Sequence, residues 1–211
     1  MKLINEAQKS EIGILAMLRD LVPDRTITLR EALVIAELQA NRLIDYFQIT
    51  CPSTPDEIIR EIPHVLITYD SNMPVSGATF WNGHNWIISL NSNESYLRHR
   101  FSTMHEFKHI LDHTKRIYLY PNHFDRSSNY MPERIADYFA ACVLMPKKWV
   151  KRLWCDGCQV IGELAQKFEV SNQAMKFRID ELDLTDSPKR CKSHYFRQVN
   201  TQYTTKLGAL L

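Results

Sequence analysis

The feature that most constrains this sequence is a His-Glu-x-x-His motif inside a stretch that favours a helix. The motif occupies residues 105–109, and residues 103–111 contain apolar neighbours but neither glycine nor proline. On a helix, residues four apart share a face with their β-carbons about 6 Å apart, so His105 and His109 can both direct a ring nitrogen at one Zn²⁺. Glu106 is turned about 100° away and can reach a water at the metal instead. The motif therefore predicts two metal ligands and a general base, as in metal-activated hydrolases.

A second stretch downstream supplies a candidate third ligand. Residues 133–141 also lack glycine and proline, and their aromatic and small apolar side chains suit a buried helix. Glu133 can offer a carboxylate oxygen. Asp137, one turn later, can accept a hydrogen bond from the second ring nitrogen of a ligating histidine. Three protein ligands and an open fourth position describe a catalytic zinc site, although Mn²⁺ is an alternative ion.

His113 is the rival third ligand. It lies eight residues after His105, which is about 12 Å along a straight helix. One ion can take both rings only if the helix breaks after His109, and residues 110–112 contain no glycine to break it. The metzincin spacing, in which a glycine permits such a third histidine, is absent. The residues therefore favour Glu133.

Two longer stretches resemble the ImmA/IrrE family of metallo-endopeptidases. Residues 98–113 are similar to the family's active-site helix, and residues 133–146 end in the Leu-Met-Pro that is typical of it. The similarity extends from about residue 76 to residue 184. Lys108 stands where many relatives carry glycine, but it lies outside the metal shell. The resemblance implies a zinc-dependent endopeptidase whose metal ligands and general base are His105, His109, Glu133 and Glu106.

The resemblance also implies a protein partner. The implied substrate is a helix-turn-helix transcriptional repressor, cut at one site so that genes of a mobile element or a stress response are switched on. The competing hypothesis is a transcriptional regulator that binds DNA or a protein and keeps its zinc site for structure or as a relic. The complete set of ligands and base favours the enzyme.

The overall pattern predicts an α+β protein, with a mostly helical zinc-peptidase core and a small antiparallel sheet or hairpin beside the active-site helix. Within its N-terminal part, a leading helix falls in residues 1–22. A second helix over residues 29–47 begins with a capping box formed by Thr28 and Glu31. We expect four parts: N-terminal helices packing on the core (1–62), the peptidase core (63–150), a helix-turn-helix-like module (151–185) and an irregular tail (186–211).

A predicted hairpin beside the metal helix suggests where a substrate binds. Asn82-Gly83 separates two aromatic-rich apolar runs, which is the strongest short-range hairpin signal. In zinc peptidases an edge strand commonly holds an extended substrate by main-chain hydrogen bonds. A purely structural hairpin is the alternative. We assign the substrate role to the partner strand at residues 78–81 or, as the first choice, to the strand of Trp86, Ile87, Ile88, Ser89 and Leu90.

A donor besides the metal is needed to stabilise a transition-state oxyanion. The loop-like segment 116–131 joins the two metal-bearing helices, so we expect it to border the cleft. Hydroxyl and imidazole groups in and beside this segment are the candidates, and the sequence singles out none of them. They are Tyr118, Tyr120, His123, Tyr130 and Tyr138.

Two predicted helices near the C-terminus, at residues 160–168 and 171–182, resemble a helix-turn-helix in which Ser171 caps the second helix. From Lys147 onward the chain carries 12 Lys and Arg against 7 Asp and Glu, a modest excess for a nucleic-acid surface. We therefore expect this module to pack or to dock a partner, with direct DNA binding as the less favoured reading. The residues that would contact DNA or a partner are Asn172, Gln173, Lys176 and Arg178.

The cysteines and the hydrophobic pattern indicate the compartment in which the protein is expected. Five irregularly spaced cysteines argue against a disulfide framework. Cys155 and Cys158, with Cys191 and His194, are one combination for a second zinc site, but ordinary reduced cysteines are the favoured reading. No run approaches the roughly eighteen apolar residues that span a bilayer, and the N-terminus lacks the apolar stretch of a secretory signal. We expect a cytoplasmic protein.

Overall fold

A computed structural model describes residues 13–120 and 130–184, apart from the side chains of Ile117 and Tyr130. Helices predominate and a small sheet lies among them, so the α+β prediction is confirmed. Two 3-10 segments occupy Asp56–Ile59 and His113–Lys115. The helices and strands are α1 (Ile14–Arg19), α2 (Leu29–Tyr46), β1 (Val65–Asp70), β2 (Gly77–Trp81), β3 (Trp86–Asn91), α3 (Tyr96–Asp112), α4 (Arg116–Leu119), α5 (Tyr130–Leu144), α6 (Lys147–Cys155), α7 (Ile161–Phe168) and α8 (Asn172–Glu181).

The start of α2 shows the predicted capping box. The Thr28 hydroxyl accepts a hydrogen bond from the backbone N–H of Glu31 at 3.2 Å, and the Glu31 carboxylate accepts one from the backbone N–H of Thr28 at 2.9 Å. These bonds satisfy two of the amide groups that a helix start leaves unpaired. Of the leading helix predicted in residues 1–22, α1 accounts for the described part, and residues 1–12 lie outside the described residues.

The core forms where α3 packs between the sheet and α5, while α5 also packs on α2. Apolar side chains of all these elements, such as Ala36, Ile88, Phe107 and Phe139, are buried in one contiguous cluster. The histidines of α3 therefore sit on a helix that is supported on two sides. In the part of the chain that the structure describes, no helix has the length and apolar character to cross a membrane.

The hairpin is confirmed, but the sheet around it is mixed rather than antiparallel. Gly83 takes a φ of +97°, which favours glycine, in the turn between β2 and β3. β1 pairs with β3 in parallel and β2 pairs with β3 antiparallel, so the strand order is β1-β3-β2. The antiparallel hairpin is as predicted, whereas the parallel neighbour β1 was not predicted, because alternation of apolar residues does not encode the direction of a non-local neighbour.

The strand order also corrects the predicted substrate strand. Each of Trp86, Ile87, Ile88, Ser89 and Leu90 has a partner on both sides, in β1 and in β2. A strand in the centre of a sheet has already used its main-chain hydrogen-bonding groups, so β3 cannot bind an extended substrate in this way. Among the described residues, no strand pairs with the outer edge of β2. The alternative partner strand of the hairpin therefore offers a free edge, and it lies on the side of the sheet that contacts Glu106.

Helices α7 and α8 are joined by a short turn. Glu169 ends α7 with a left-handed backbone (φ 52°), and the Ser171 hydroxyl caps α8 by accepting from the N–H of Ala174 at 3.1 Å. The predicted N-cap is confirmed. The predicted tail from residue 186 lies outside the described residues.

One predicted contact residue of α8 points into the protein. Arg178 is only 1% exposed, donates to the carbonyl of Met145 at 3.1 Å and pairs with Glu181 at 2.6 Å. Its prediction as a DNA or partner contact was wrong, because residue type does not reveal that a long cationic side chain has partners inside the fold. The three other predicted contact residues, Asn172, Gln173 and Lys176, are exposed.

Candidate metal centre

The two histidines of α3 and a glutamate of α5 converge on one point. The Nε2 atoms of His105 and His109 lie 3.1 Å apart. Glu133 places Oε2 3.1 Å from Nε2 of His105 and Oε1 3.5 Å from Nε2 of His109. Among the described residues, this is the one group of three or more His, Cys, Asp or Glu side chains that could hold a metal ion.

These separations fit a single divalent ion. Ligand atoms about 2.0–2.1 Å from one tetrahedral ion lie roughly 3.3 Å from one another. The observed separations run from 3.1 to 3.5 Å. Two imidazole nitrogens and one carboxylate are a donor set that zinc favours, and they leave a fourth position open. The residues that are present therefore fit the metal that the sequence suggests.

Burial and hydrogen bonds shift the pKa values of these candidate ligands. Burial disfavours a charged ring at His105, but hydrogen bonds to Asp137 and Glu133 outweigh it and raise the pKa of His105 to about 9. The same contact with His105, followed by that with His109, holds the pKa of Glu133 well below its usual value. Glu133 is therefore ready to ligate as a carboxylate, and the ring of His105 would ligate in its neutral form.

Asp137 orients the first histidine. It follows Glu133 by one turn of α5, and its Oδ1 lies 2.8 Å from Nδ1 of His105. A carboxylate on one ring nitrogen fixes the tautomer and directs the other nitrogen outward. Here that other nitrogen faces His109 and Glu133.

The candidate base, Glu106, is held from the neighbouring strand. Its side chain is buried, and its Oε2 accepts a hydrogen bond from the Thr79 hydroxyl at 2.8 Å. A β-carbon added to Gly77 would lie 3.0 Å from Cγ of Glu106, so this strand approaches closely because residue 77 is glycine. Sequence analysis missed both residues. The sequence signal that could have identified them is their spacing, because residues two apart on β2 share the face toward α3.

His113 does not join the ligands. Helix α3 continues to Asp112, and His113 begins the following 3-10 segment. The ring of His113 packs on Trp86 with 4.8 Å between ring centroids. The structure brings Glu133, and not His113, to the histidine pair.

The candidate oxyanion donors separate into distinct surroundings. Tyr120 is buried and its hydroxyl donates to Asp112 at 2.6 Å, which contradicts the role predicted for it because that proton is already committed inside the core. Tyr138 donates to Glu37 at 3.2 Å, toward α2. Tyr118 lies near Lys115 and stays a candidate. His123 and the side chain of Tyr130 lie outside the described residues.

Lys108 has a structural role that the sequence does not show. It is fully buried, and its ammonium forms an ion pair with Asp112 and donates to the side chain of Gln39 at 2.8 Å. Asp112 also accepts from Tyr120, so this buried cluster joins α2, α3 and the residues that follow α4.

The proposed second zinc site finds no support in the described residues. Cys155 and Cys158 are free thiols, and the described part of the chain holds no further cluster of metal ligands around them. Cys191 and His194 lie outside the described residues. Reduced cysteines remain the prediction.

Comparisons with known proteins found a matching family and similar solved structures. Residues 60–180, more than half of the chain, match the family model Peptidase_M78, the IrrE N-terminal-like domain. A solved structure called a "Mycobacterium tuberculosis transcriptional regulator" has a similar fold, with a TM-score of 0.51 and 15% identity. The match covers 77% of this chain and 50% of that one, so this chain spans about half of its length. No curated protein matches.

Proposed function

Because the chain belongs to the M78 peptidase family through its IrrE N-terminal-like domain, we propose that it is a zinc-dependent endopeptidase. The observation that carries this proposal is the convergence of His105, His109 and Glu133 beside the buried carboxylate of Glu106. A structural zinc site needs four closed ligands and no base, whereas this group offers three ligands and a neighbouring acid.

Glu106 is the general base in this mechanism. When bound, zinc acts as a Lewis acid that makes water more acidic and polarises a carbonyl group. Glu106 takes a proton from the attacking water and then passes it to the leaving amine. The Thr79 hydroxyl holds one carboxylate oxygen by its 2.8 Å hydrogen bond. Among the described residues, no hydrogen-bond donor occupies the other oxygen, which is left to exchange the proton.

The other site residues keep this geometry fixed. Asp137 holds the ring of His105, so the ligand nitrogen does not have to be oriented when a metal binds. Glu133 comes from a different helix than the two histidines, and the packing of α3 on α5 therefore sets the width of the site. Such preorganisation reduces the reorganisation that the reaction requires.

The free edge of β2 is the surface on which an extended substrate binds. Thr79 lies in the middle of β2 and contacts Glu106, so a chain paired with β2 passes beside the base. Main-chain hydrogen bonds to an edge strand hold a substrate of almost any sequence in an extended form. This replaces β3, whose two neighbours exclude it.

The substrate class follows from the resemblance to ImmA/IrrE peptidases. We infer a helix-turn-helix transcriptional repressor of the cytoplasm that is cut at one site, with derepression of genes as the outcome. The transcriptional-regulator name of the similar structure is compatible with this inference. That name, and the exposed polar residues of α8, also support the second candidate, a regulator that binds DNA or a protein.

Glu106→Gln tests the enzyme. We expect this variant to bind zinc as the wild type does, measured by elemental analysis, and to leave intact a helix-turn-helix repressor encoded beside it when the two are co-expressed. Glu57→Gln, which changes an exposed glutamate away from the site, is the matched control and should cleave. A Glu106→Gln variant that still cuts the repressor contradicts the mechanism. Salt-sensitive DNA binding that survives zinc removal, seen in gel shifts at two salt concentrations, supports the regulator instead.

A further inference from the structure

A wide groove opens beside the metal centre, between the first half of α3, α5 and α8. Its volume is about 1070 Å³. Asp137 lines it, and so does Arg134, which follows the ligand Glu133. The opposite wall is α8, where Phe177 and Asp180 face the groove. The groove therefore extends from the candidate catalytic residues to the C-terminal helix pair.

Apolar side chains form much of the surface of the groove. Phe101 of α3, Ala141 of α5 and Ala174 of α8 contribute to its surface. Phe177 on the rim is 66% exposed, and Leu97 across from α8 is also exposed. A large aromatic side chain left this exposed at the edge of an apolar groove is typical of a binding surface.

Charged side chains also line the groove. Arg134 adjoins the metal centre, because it follows the ligand Glu133, and it has no ion-pair partner among the described residues, whereas Arg98 lies near the start of α3. Asp180 and Glu181 lie on the α8 wall, where Glu181 already pairs with Arg178. A ligand with a negative group near the metal centre and an apolar group beside Phe177 complements this arrangement.

The size of the groove favours a polypeptide over a metabolite. Sites for small molecules have volumes of roughly 300–1,000 Å³ and enclose most of the ligand. This groove exceeds that range and is partly open to solvent. Several residues of an extended or helical segment fit such a space.

The direction of β2 decides which part of a substrate reaches the groove. Just before β2, Ser76 accepts a hydrogen bond from Arg98 near the start of α3 at 3.0 Å, and in mid-strand Thr79 contacts Glu106. β2 therefore runs alongside α3 in the same direction. A substrate paired antiparallel with β2, the slightly more stable pairing, runs the other way. Its C-terminal half then leaves β2 beside Arg98, which lines the groove.

We propose that this groove binds the substrate segment on the C-terminal side of the scissile bond and selects an acidic residue at Arg134 and a bulky apolar residue at Phe177. The proposal rests on the proposed endopeptidase function and adds the source of its specificity. In this view α8 acts as a wall of the peptidase cleft.

A peptide mixture tests this selection without a known substrate. Zinc-loaded full-length protein is incubated with short synthetic peptides of diverse sequence, and cleavage sites are read by mass spectrometry. We expect acidic and bulky apolar residues to be enriched after the cut bond. Phe177→Ala should lower kcat/KM about 10-fold for peptides that carry a bulky apolar residue after the cut bond. The kcat/KM for peptides without such a residue should stay the same. Arg134→Glu should replace the acidic preference by a basic one.

Matched changes elsewhere separate specificity from general damage. Leu38→Ala and Arg42→Glu alter an exposed leucine and an exposed arginine of α2 outside the groove, and both should keep the wild-type profile. If both groove variants cut the peptides with the same profile as the wild type, this proposal is wrong, while the endopeptidase function stands. No cleavage by zinc-loaded wild type overturns the endopeptidase function and this proposal together.

Other occupants of the groove give different results. If Phe177→Ala raises the cleavage of all peptides alike, the groove is covered by the chain itself, and the proposal is wrong. If light scattering shows that Phe177→Ala turns a dimer into a monomer, the occupant is a second copy, which also overturns it. A preference that appears before the cut bond, rather than after it, contradicts the antiparallel pairing with β2 on which the proposal depends.

Discussion

Replacing Lys108 by methionine tests the buried ion pair behind the metal helix. Lys108 is 0% and Asp112 2% exposed, and their contact is supplemented by hydrogen bonds from Lys108 to Gln39 and from Tyr120 to Asp112. Methionine keeps the length of the side chain but leaves the aspartate buried without its cation. Breaking a buried pair in this way costs about 3–5 kcal/mol. For a chain of this size, the melting temperature should fall by about 10 °C.

A double-mutant cycle measures the coupling between Lys108 and Asp112. Asp112→Leu alone should destabilise by a similar amount, since it leaves a buried ammonium. Lys108→Met combined with Asp112→Leu should recover most of the loss, because an apolar replacement of a whole buried pair is often neutral. Urea unfolding followed by circular dichroism measures each free energy of unfolding, with zinc removed by a chelator so that metal binding does not contribute.

An exposed lysine outside the buried pair provides the control. Lys151→Met removes an exposed lysine of α6 and should change the free energy of unfolding by no more than about 0.5 kcal/mol. If Lys108→Met stays within about 1 kcal/mol of the wild type, the pair does not have the buried, coupled character inferred here. A double variant no more stable than either single variant contradicts the coupling.

Three further changes test the site and the fold. Gly77→Ala places a β-carbon 3.0 Å from Cγ of Glu106. It should lower kcat for a cleaved peptide about 10–100-fold at unchanged zinc content, and an unchanged kcat would show that the base is not held in place by β2. Asp137→Ala removes the hydrogen bond to His105. Zinc affinity in chelator competition should fall about 10–100-fold, and equal affinity would exclude the orienting role. Thr28→Ala removes the hydroxyl cap of α2 and should cost about 1 kcal/mol in urea unfolding, whereas no loss would mean that water replaces the cap.

Local patterns in the sequence predicted the helices, the caps and the hairpin. The capping box at Thr28, the N-cap at Ser171 and the Asn82-Gly83 turn depend on residues within four positions of one another, so the pattern contains nearly all of the information. The spacing of His105 and His109 is local in the same sense, and a helix brings their ring nitrogens together wherever it lies in the fold.

Contacts between distant parts of the chain were not predictable in this way. The pairing of β1 with β3, which makes β3 a central strand, depends on which elements pack together in space. The support of Glu106 by Gly77 and Thr79 depends on the same packing, since these residues come from a strand that lies well before α3 in the sequence. Arg178 resembled a surface cation because residue type does not show that a carbonyl and a carboxylate meet it inside the fold.

The buried cations of α3 explain how a helix with two histidines at a cleft stays fixed. Arg100, 1% exposed, donates to the carbonyl of Thr54 at 2.8 Å and pairs with Glu169 at 2.7 Å, so it joins α3 to the segment before β1 and to the end of α7. Lys108 joins the same helix to α2 through Gln39. The two anchors lie on either side of His105 in the sequence and connect α3 to different elements. A metal centre needs its ligands held to within about 0.5 Å, and two desolvated cations with directional partners restrict both sliding and rotation of the helix in a way that apolar packing alone does not.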